Sequence, residues 1–366
     1  MARKLKWDFW LLITTLALVA VSIVMVFSAS KVLATEKYGQ PNLFLWKQAM
    51  FAAVGVGVML IAMHVPYERY RDARVYLSLL AAAGAGLVAV LLIGPEINGT
   101  KRWFGIAGIG VQPSEVAKFS LVLFVAALLS RRMDRIREPK ALVPVAAALL
   151  GAVALILAEP DFGTSVTVIA IVGLMVFAAG LPVKHLAIAA APLIPAIIFA
   201  AIWAPYRLRR LLAFLHPWDD RFGDGFQIVQ SLIAVGTGGV VGRGLGYGVQ
   251  KLFYLPYPHT DFIFAVVGEE LGLIGASLMV ACFAIIAWRG LRTALRAPDA
   301  FGALLALGLT AMIAMQAFVN ISVVLGMLPT KGLTLPFMSA GGSSLIISLA
   351  GMGVLLNISW RASATT

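Results

Sequence analysis

The stretch FWLLITTLALVAVSIVMVFSA, residues 9–29, decides the fold class. It contains no charged side chain, and about 20 apolar residues are what a helix needs to cross the hydrocarbon core of a bilayer. Arg3, Lys4 and Lys6 precede it, and no small-residue cleavage pattern follows before polar sequence begins. We therefore expect a first transmembrane helix that is retained, not a cleaved signal peptide.

The rest of the chain repeats this pattern. Of its 366 residues, 61% are hydrophobic and 13% charged, with a mean hydropathy of +0.93, whereas a soluble domain carries roughly 25% charged residues. The alternation typical of a membrane barrel is missing from the sequence. An all-α polytopic membrane protein is predicted, with residues 1–366 forming a single membrane domain of about ten transmembrane helices. The predicted spans are residues 9–29, 43–63, 75–93, 113–129, 142–158, 165–180, 185–203, 262–288, 301–328 and 335–358.

Lysine and arginine set the predicted orientation. With the N-terminus inside, the shorter inner loops hold most of these residues, as the positive-inside rule requires, and an even number of helices returns the C-terminus to the cytoplasm. The net charge of +12 is then a topology signal, and no nucleic-acid partner is expected. The single cysteine, Cys282, lies in an apolar run, which excludes a disulfide framework and a cysteine metal site.

One connection, residues 204–261 between helices 7 and 8, is far longer than the others and falls on the outer face. Loops of this length are usually functional or disordered, and its many aromatic residues favour a loop folded onto the bundle. Residues 225–240 combine apolar residues with Gln227, Gln230 and Ser231, a composition that suits an interfacial or re-entrant helix.

The glycine series GTGGVVGRGLGYG, residues 236–248, lies in the same loop. It lacks the preceding strand that a dinucleotide-binding loop needs. A tight loop that brings Arg243 towards a phosphate is the interpretation we prefer.

Ionisable residues at membrane depth are costly and therefore candidates for function. Glu115 and Lys118 are three residues apart, on one helical face, and either form a structural ion pair or line a substrate cavity. Glu269 and Glu270 lie two turns inside the eighth span, where pairing with bundle partners is favoured over a chemical role.

Asp261 lies at the outer mouth of the eighth span, directly after His259 and Thr260. A carboxylate beside an apolar wall loses solvation, which raises its pKa and makes it a better proton acceptor at neutral pH. The alternative role is an ordinary helix N-cap.

Arg102 and Lys331 lie near aromatic residues in predicted outer loops. Such cations bind phosphate or pyrophosphate; the alternative is interfacial anchoring. The sequence contains no Walker lysine motif, zinc-binding histidine pair or serine elbow, so ATP-driven transport and hydrolase chemistry have no support.

Five motifs spread over the chain carry a resemblance to a known family. They are RWFGIAGIGVQPSEVAKFS (102–120), EPDFGTS (159–165), FLHPWDDRFGDGFQIVQSLIAVGTGGVVGRGLG (214–246), YLPYPHTDFIFAVVGEELGLIG (254–275) and LPTKGLTLPFMSAGGSSLI (328–346). With them the chain resembles the SEDS family of shape, elongation, division and sporulation proteins. PTKGLTLPF and HPWDD are more similar to the FtsW branch, which serves division, than to the RodA branch, which serves elongation.

The resemblance implies a peptidoglycan glycosyltransferase that polymerises lipid II and works with a class B penicillin-binding protein and other divisome or elongasome membrane proteins. It places the family's essential aspartate on Asp261 and its buried charged pair on Glu115 and Lys118. It also implies the bacterial plasma (inner) membrane, at the division septum. One departure is Ala340, which stands where the family pattern SYGGSS has tyrosine. The residues expected to bind substrate are Glu115, Lys118, Arg102, Lys331, His259, Thr260, Gln230, Arg243 and Ser343.

In the expected reaction Asp261 is the general base, and the leaving pyrophosphate is neutralised by Lys118, Arg102, Lys331 or a divalent cation, Mg²⁺ or Mn²⁺. No nucleotide is expected, and no ligand cluster identifies a metal. Two other functions fit the same residues: a lipid II flippase, and a scaffold that only activates a transpeptidase. A flippase would place its site near the midplane, whereas the candidate charges cluster towards the outer face.

Overall fold

The computed structural model describes residues 7–96, 99–106, 109–191 and 213–362. These ranges are mainly helical, because a helix satisfies its backbone hydrogen bonds within itself, as lipid requires. The helices are α1 (Phe9–Tyr38), α2 (Leu43–His64), α3 (Ala73–Ile93), α4 (Pro113–Ser130), α5 (Pro139–Ala158), α6 (Phe162–Ala178), α7 (Val183–Ala190), α8 (Phe226–Thr237), α9 (Ile263–Arg296), α10 (Ala300–Val324) and α11 (Gly342–Ala362).

The connections between these helices are mostly short. Two 3₁₀ turns, Tyr67–Arg71 and Met133–Arg135, precede α3 and α5. A small hairpin precedes α4, with β1 (Phe104–Ile106) antiparallel to β2 (Ile109–Val111). The hairpin was not predicted from the sequence.

Eight helices of the described residues are long and apolar enough to cross a membrane, namely α1 to α5 and α9 to α11. The predicted all-α membrane protein is therefore confirmed. The sixth predicted span corresponds to α6, which has 17 residues. The seventh, residues 185–203, begins within α7 and continues outside the described residues. In the long loop, α8 falls within residues 225–240, where a helix was predicted.

Several helix ends differ from the predicted spans. Helix α1 continues past residue 29 to Tyr38, because hydropathy marks the thickness of the membrane and not the end of the helix. It stops at Gly39, which has φ 66° and donates its N–H to Thr35 O, a left-handed C-cap. The tenth predicted span began at residue 335, but α11 begins at Gly342; a buried turn containing Pro336 precedes it.

The centre of the bundle is formed by α4, α10 and α11. In the most apolar 18-residue segment of each of these helices, 78%, 67% and 83% of the residues are buried, compared with 22% in the corresponding segments of α3 and α5. Helices α3 and α5 are therefore peripheral. Helix α11 packs closely on α2, since a Cβ at Gly353 would lie 2.3 Å from Met59 O. Small residues allow such close approach between membrane helices.

Helix α9 is interrupted at Gly272, whose φ of 65° and ψ of −165° suit only glycine. The amides that follow the break find partners in the glycine-rich loop: Leu273 donates to Gly239 O (2.9 Å) and Ile274 to Val240 O (3.1 Å). The loop therefore repairs the backbone hydrogen bonding that the break removes from α9.

The same loop is fixed to the two buried glutamates of α9. The amides of Arg243 and Gly244 donate to Glu269 O and Glu270 O, each at 3.0 Å, and Lys251 Nζ lies 2.6 Å from the Glu270 carboxylate. The Glu269 carboxylate accepts backbone N–H groups of the loop. Glu270 thus forms an ion pair within the fold, but its partner Lys251 lies in the long loop and not in a helix of the bundle, where the partner was predicted.

Alanine at Gly242 is expected to lower the free energy of unfolding by about 2–4 kcal/mol, because the cost of a left-handed backbone conformation adds to the cost of a steric clash of the new Cβ. Gly242 has φ 83°, and a Cβ there would lie 2.2 Å from Glu270 O. Gly239→Ala is the matched control, because Gly239 also has positive φ but has no atom within 4 Å of a Cβ. Thermal melting of the purified variants measures the difference; equal losses would contradict the close packing of loop on helix.

Candidate active site

A cavity of about 600 Å³ lies where the start of α4, the loop before α6 and the turn before α9 meet. Segments that are far apart in the sequence meet here, because the packing of the central helices places the ends of those helices next to one another. The lining residues that matter chemically are Arg102, Gln112, Glu115, Thr260, Asp261 and Lys331.

Hydrogen bonds to the backbone of Asp261 and of the residue before it fix the position of Asp261. Asn320 of α10 donates its side-chain N–H to Asp261 O (2.8 Å) and to Leu333 O (2.6 Å). Ser339 Oγ donates to Thr260 O (2.6 Å). The turn is therefore fastened to α10 and to the segment after it, while the Asp261 carboxylate faces the cavity.

The environment of the Asp261 carboxylate favours its protonated form. Burial and, to a smaller extent, the negative charge of Asp161 raise the pKa of Asp261 to about 7, while Arg102 acts in the opposite direction. A Cβ at Gly332 would lie 3.1 Å from Asp261 Oδ2, so the glycine lets the backbone approach the carboxylate. A group that titrates near neutrality at a cavity wall suits proton transfer.

A buried polar chain runs from the cavity into the bundle. Lys118 Nζ lies 2.8 Å from Glu115 Oε1 and donates to Gln316 Oε1 at 2.5 Å. Gln316 donates in turn to Thr334 O at 2.9 Å. Since Glu115 and Thr334 both line the cavity, the charged pair is connected to it at two points.

Two of the cations predicted to bind substrate, Arg102 and Lys331, lie on the cavity wall. Arg102 donates to the carbonyls of Glu159 and Pro160, both at 2.7 Å, which fixes its guanidinium while leaving its charge without a carboxylate contact in the described residues. Lys331 Nζ lies 4.8 Å from the centre of the Phe162 ring. Burial lowers the pKa of Lys331, and the negative charge of Asp161 acts in the opposite direction; an anionic ligand beside Lys331 would likewise favour its charged form.

Comparison with known proteins supplies the family. The sequence pattern of the FtsW/RodA/SpoVE family, described as cell cycle protein, matches residues 9–364 of this chain. The chain belongs to this family. The resemblance predicted from the five motifs is confirmed.

Members of the FtsW/RodA/SpoVE family are similar to this chain over nearly their whole length. A probable peptidoglycan glycosyltransferase FtsW of Geobacter metallireducens is 41% identical, covering 98% of this chain and 96% of the relative. Stage V sporulation protein E of Bacillus subtilis is 40% identical, covering 98% of each. The chain is thus about equally similar to these two relatives.

Solved structures of the family share the fold. A chain from a structure on the coordination of polymerization and crosslinking by a peptidoglycan synthase complex superimposes with a TM-score of 0.80, at 32% identity, covering 98% of this chain and 99% of that one. RodA of Thermus thermophilus, a rod shape determining protein, gives a TM-score of 0.71 at 29% identity, covering 97% of both chains.

The other predicted site residues are divided between cavity and bundle. Thr260 lines the cavity. His259 is buried beside the Phe44 ring, 4.8 Å between centroids, and Ser343 accepts the amide of Gln112 at 3.1 Å. Neither side chain is among the cavity lining.

Two residues of the long loop also lie outside the lining. Gln230 is on α8, but of the glutamines of this helix it is Gln227, one turn earlier, that lines the cavity. Arg243 is exposed and lies 3.9 Å from Glu269, on the loop that packs against the break in α9. The proposed roles of Gln230 and Arg243 stay predictions.

Glu159 and Asp161 were not singled out from the sequence, although their motif was. Asp161 caps α6 by accepting the amide of Thr164 at 3.0 Å, and also accepts from Gln112 at 3.4 Å. Glu159 is fully buried, and neither of its carboxyl oxygens has a hydrogen-bond partner in the part of the chain that the structure describes. Burial, with help from Asp161, raises the pKa of Glu159 to about 8, so this carboxyl is mostly protonated at neutral pH.

Glu159→Gln is expected to raise the melting temperature by about 5–10 °C at pH 9 and by little at pH 5. The folded pKa of about 8 exceeds the ordinary value of 4.5, so the native state keeps a proton that the unfolded chain releases. Stability is therefore lost as pH rises from about 4.5 to about 8, and glutamine removes that loss. Melting curves across this range measure the effect. Glu96→Gln, at an exposed carboxylate, is the control, and parallel curves for wild type and Glu159→Gln would contradict the raised pKa.

The described residues contain no group of three or more His, Cys, Asp or Glu side chains placed to hold a metal ion. Asp261 lines the cavity, and the charge of Asp161 acts on the Asp261 carboxyl, but these two aspartates do not form such a group. A divalent cation at this site would therefore depend on oxygen ligands from the substrate as well as from the protein.

Proposed function

We propose that the chain polymerises lipid II into glycan strands and releases undecaprenyl pyrophosphate, with the cavity as its active site. The observation that supports this best is a carboxylate with a pKa of about 7 on a cavity wall that also carries Arg102 and Lys331. Two FtsW relatives, at 41% and 42% identity over nearly the full chain, are named probable peptidoglycan glycosyltransferases.

In the proposed reaction a sugar hydroxyl of one lipid II attacks the anomeric carbon of the growing glycan. The new carbon–oxygen bond forms as the bond from that carbon to the pyrophosphate oxygen breaks. Asp261 accepts the hydroxyl proton, and the pyrophosphate leaves with the electron pair of the broken bond. No nucleotide is needed, because cleavage of the sugar–pyrophosphate bond drives the transfer.

The developing negative charge on the pyrophosphate needs cations that are in place beforehand. Arg102 and Lys331 meet that need better than Lys118, whose ammonium is already engaged by Glu115 and Gln316. We therefore assign pyrophosphate stabilisation to Arg102 and Lys331. Lys118 is assigned to holding the cavity wall.

A divalent cation, Mg²⁺ or Mn²⁺, belongs to the proposal as an aid to the leaving group. When bound it would screen the charge of the pyrophosphate, with the pyrophosphate oxygens supplying most of its ligands, because the described residues contain no group of three or more acidic, histidine or cysteine side chains placed to hold it. Loss of activity on adding EDTA, restored by Mg²⁺ or Mn²⁺ but not by Ca²⁺, would support it.

The proposed cellular setting follows from the family and the charge pattern. We place the protein in the bacterial inner membrane at the division septum, with both termini in the cytoplasm and residues 204–261 outside. A class B penicillin-binding protein is the proposed partner, supported by the similarity to a chain of a peptidoglycan synthase complex. Other divisome or elongasome membrane proteins would join this pair.

Polymerisation in detergent tests the proposal, because a micelle has no two sides between which a flippase could move lipid. Purified protein with its class B partner, given lipid II, is expected to form glycan strands detectable by gel electrophoresis. Strands formed by the partner alone would refute the assignment, as would no strands from an intact complex; the latter result would favour the flippase. A scaffold is excluded if Asp261→Asn still binds the partner but forms no strands.

A further inference from the structure

A second cavity lies at the end of the bundle opposite Asp261. It has a volume of about 300 Å³ and is formed between the start of α1 and the end of α9. We call it the arginine groove; the residues that define it are Trp7, Asp8, Trp10, Arg289, Arg292 and Arg296.

The arginine groove has more positive than negative charge. Arg289, Arg292 and Arg296 follow the helical spacing that places them on one face of α9. The carboxylate lining the groove belongs to Asp8, and it is occupied: Arg289 Nε donates to Asp8 Oδ2 at 2.7 Å, and Asp8 also caps α1 by accepting the amide of Trp10. Among the described residues no carboxylate forms an ion pair with Arg292 or Arg296, so two guanidinium groups remain in excess.

The walls of the groove place it at the edge of the apolar zone. Trp7 and Trp10 are 42% and 54% exposed, and Ile13, three residues after Trp10, is 44% exposed. Tryptophan is enriched where a membrane meets water, and α1 continues from this point into its apolar span. A ligand here would meet cations at one end and an apolar helix face at the other.

We propose that the arginine groove binds the phosphate headgroup of an anionic phospholipid, with Arg292 and Arg296 contacting the phosphate. The acyl chains lie along the exposed apolar side chains of α1. Basic pockets between helices at a membrane surface take such headgroups. Attraction to the negative end of the α9 dipole explains in part why arginines lie at the C-terminus of this helix. It does not explain why tryptophan side chains line a cavity beside them. This site is independent of the proposed catalytic function.

Native mass spectrometry of the full chain, with phosphatidylglycerol or phosphatidylcholine added, tests the proposal. Wild type is expected to retain phosphatidylglycerol at concentrations where phosphatidylcholine dissociates. Arg292→Gln with Arg296→Gln should weaken phosphatidylglycerol binding about thirtyfold, the effect of losing two cationic contacts. Arg292→Lys with Arg296→Lys should keep most of the affinity, because the charge is retained.

The matched control is Arg135→Gln with Arg137→Gln, which removes the same charge from exposed positions after α4. Equal losses in the two glutamine double variants would overturn the proposal, as would equal retention of the two lipids by wild type. Displacement of phosphatidylglycerol by millimolar inorganic phosphate would also overturn it, since the site would then serve a soluble anion. Melting temperatures of all variants confirm that each is folded.

Discussion

Asparagine in place of Asp261 is expected to lower the rate of lipid II polymerisation about 10²–10⁴-fold, the usual contribution of a general base. The substitution keeps the size of the side chain. It leaves intact the hydrogen bond from Asn320 to the Asp261 backbone, which fastens the turn. Initial rates of strand formation by the purified complex measure the loss.

The wild-type rate should also report the pKa of Asp261. This carboxyl titrates near 7, and only its ionised form accepts a proton. Below pH 7 the rate should therefore fall about tenfold for each pH unit, and above pH 7 it should become constant. The residual activity of Asp261→Asn should lack this dependence, which distinguishes a base from a residue that only shapes the cavity.

Asp219→Asn is the matched control, because Asp219 is an exposed carboxylate of the same long loop and does not line the cavity. Its rate is expected to stay close to wild type. If Asp261→Asn were folded, bound its partner and polymerised lipid II as fast as Asp219→Asn, Asp261 would not be the base.

Much of the fold was predictable because lipid imposes a simple rule on sequence: about 20 apolar residues for each crossing. The break in α9 was not predictable. Residues 262–288 are one apolar run in sequence, and the positive φ of Gly272 is set by a loop some thirty residues earlier in the chain. Local sequence does not encode such a contact. For the same reason, nothing in the glycine series indicated that Arg243 packs near Glu269 instead of the cavity.

The candidate site was predictable in part, and again for a physical reason. Charges such as Asp261 and Lys118 stand out in apolar sequence because burying them is costly. Neutral polar residues cost less and give a weaker signal, so Gln316 and Thr334, which link Lys118 to the cavity, were not identified. Glu159 could have been identified from the sequence. It is an ionisable residue at the end of an apolar span, and Glu115 was identified for the same reason.

Removing one member of the Glu115–Lys118 pair is expected to destabilise the protein by about 3–5 kcal/mol, because the remaining charge is left buried without its partner. The side chains of Lys118 and Glu115 are only 1% and 6% exposed. Glu115→Gln and Lys118→Met should therefore each lower the melting temperature strongly. The double variant should recover most of that loss, since two uncharged side chains of similar size replace the pair. A double-mutant cycle, built from the free energies of unfolding of the wild type, the two single variants and the double variant, measures this coupling.

Activity of the stable double variant decides between an ion pair that only locks helices and one that supports the site. Lys118 holds Gln316, and Gln316 holds Thr334, three residues after Lys331 and two after Gly332. Loss of the pair should displace this segment, which packs against Asp261, and misplacement of about 1 Å costs roughly 10²-fold in rate. The double variant is therefore expected to polymerise about 10²-fold more slowly with its pH midpoint still near 7, because the pair positions the base and does not replace it. Full activity in the double variant would show that the pair only locks helices together, and a shifted midpoint would show that its charge acts on Asp261 directly.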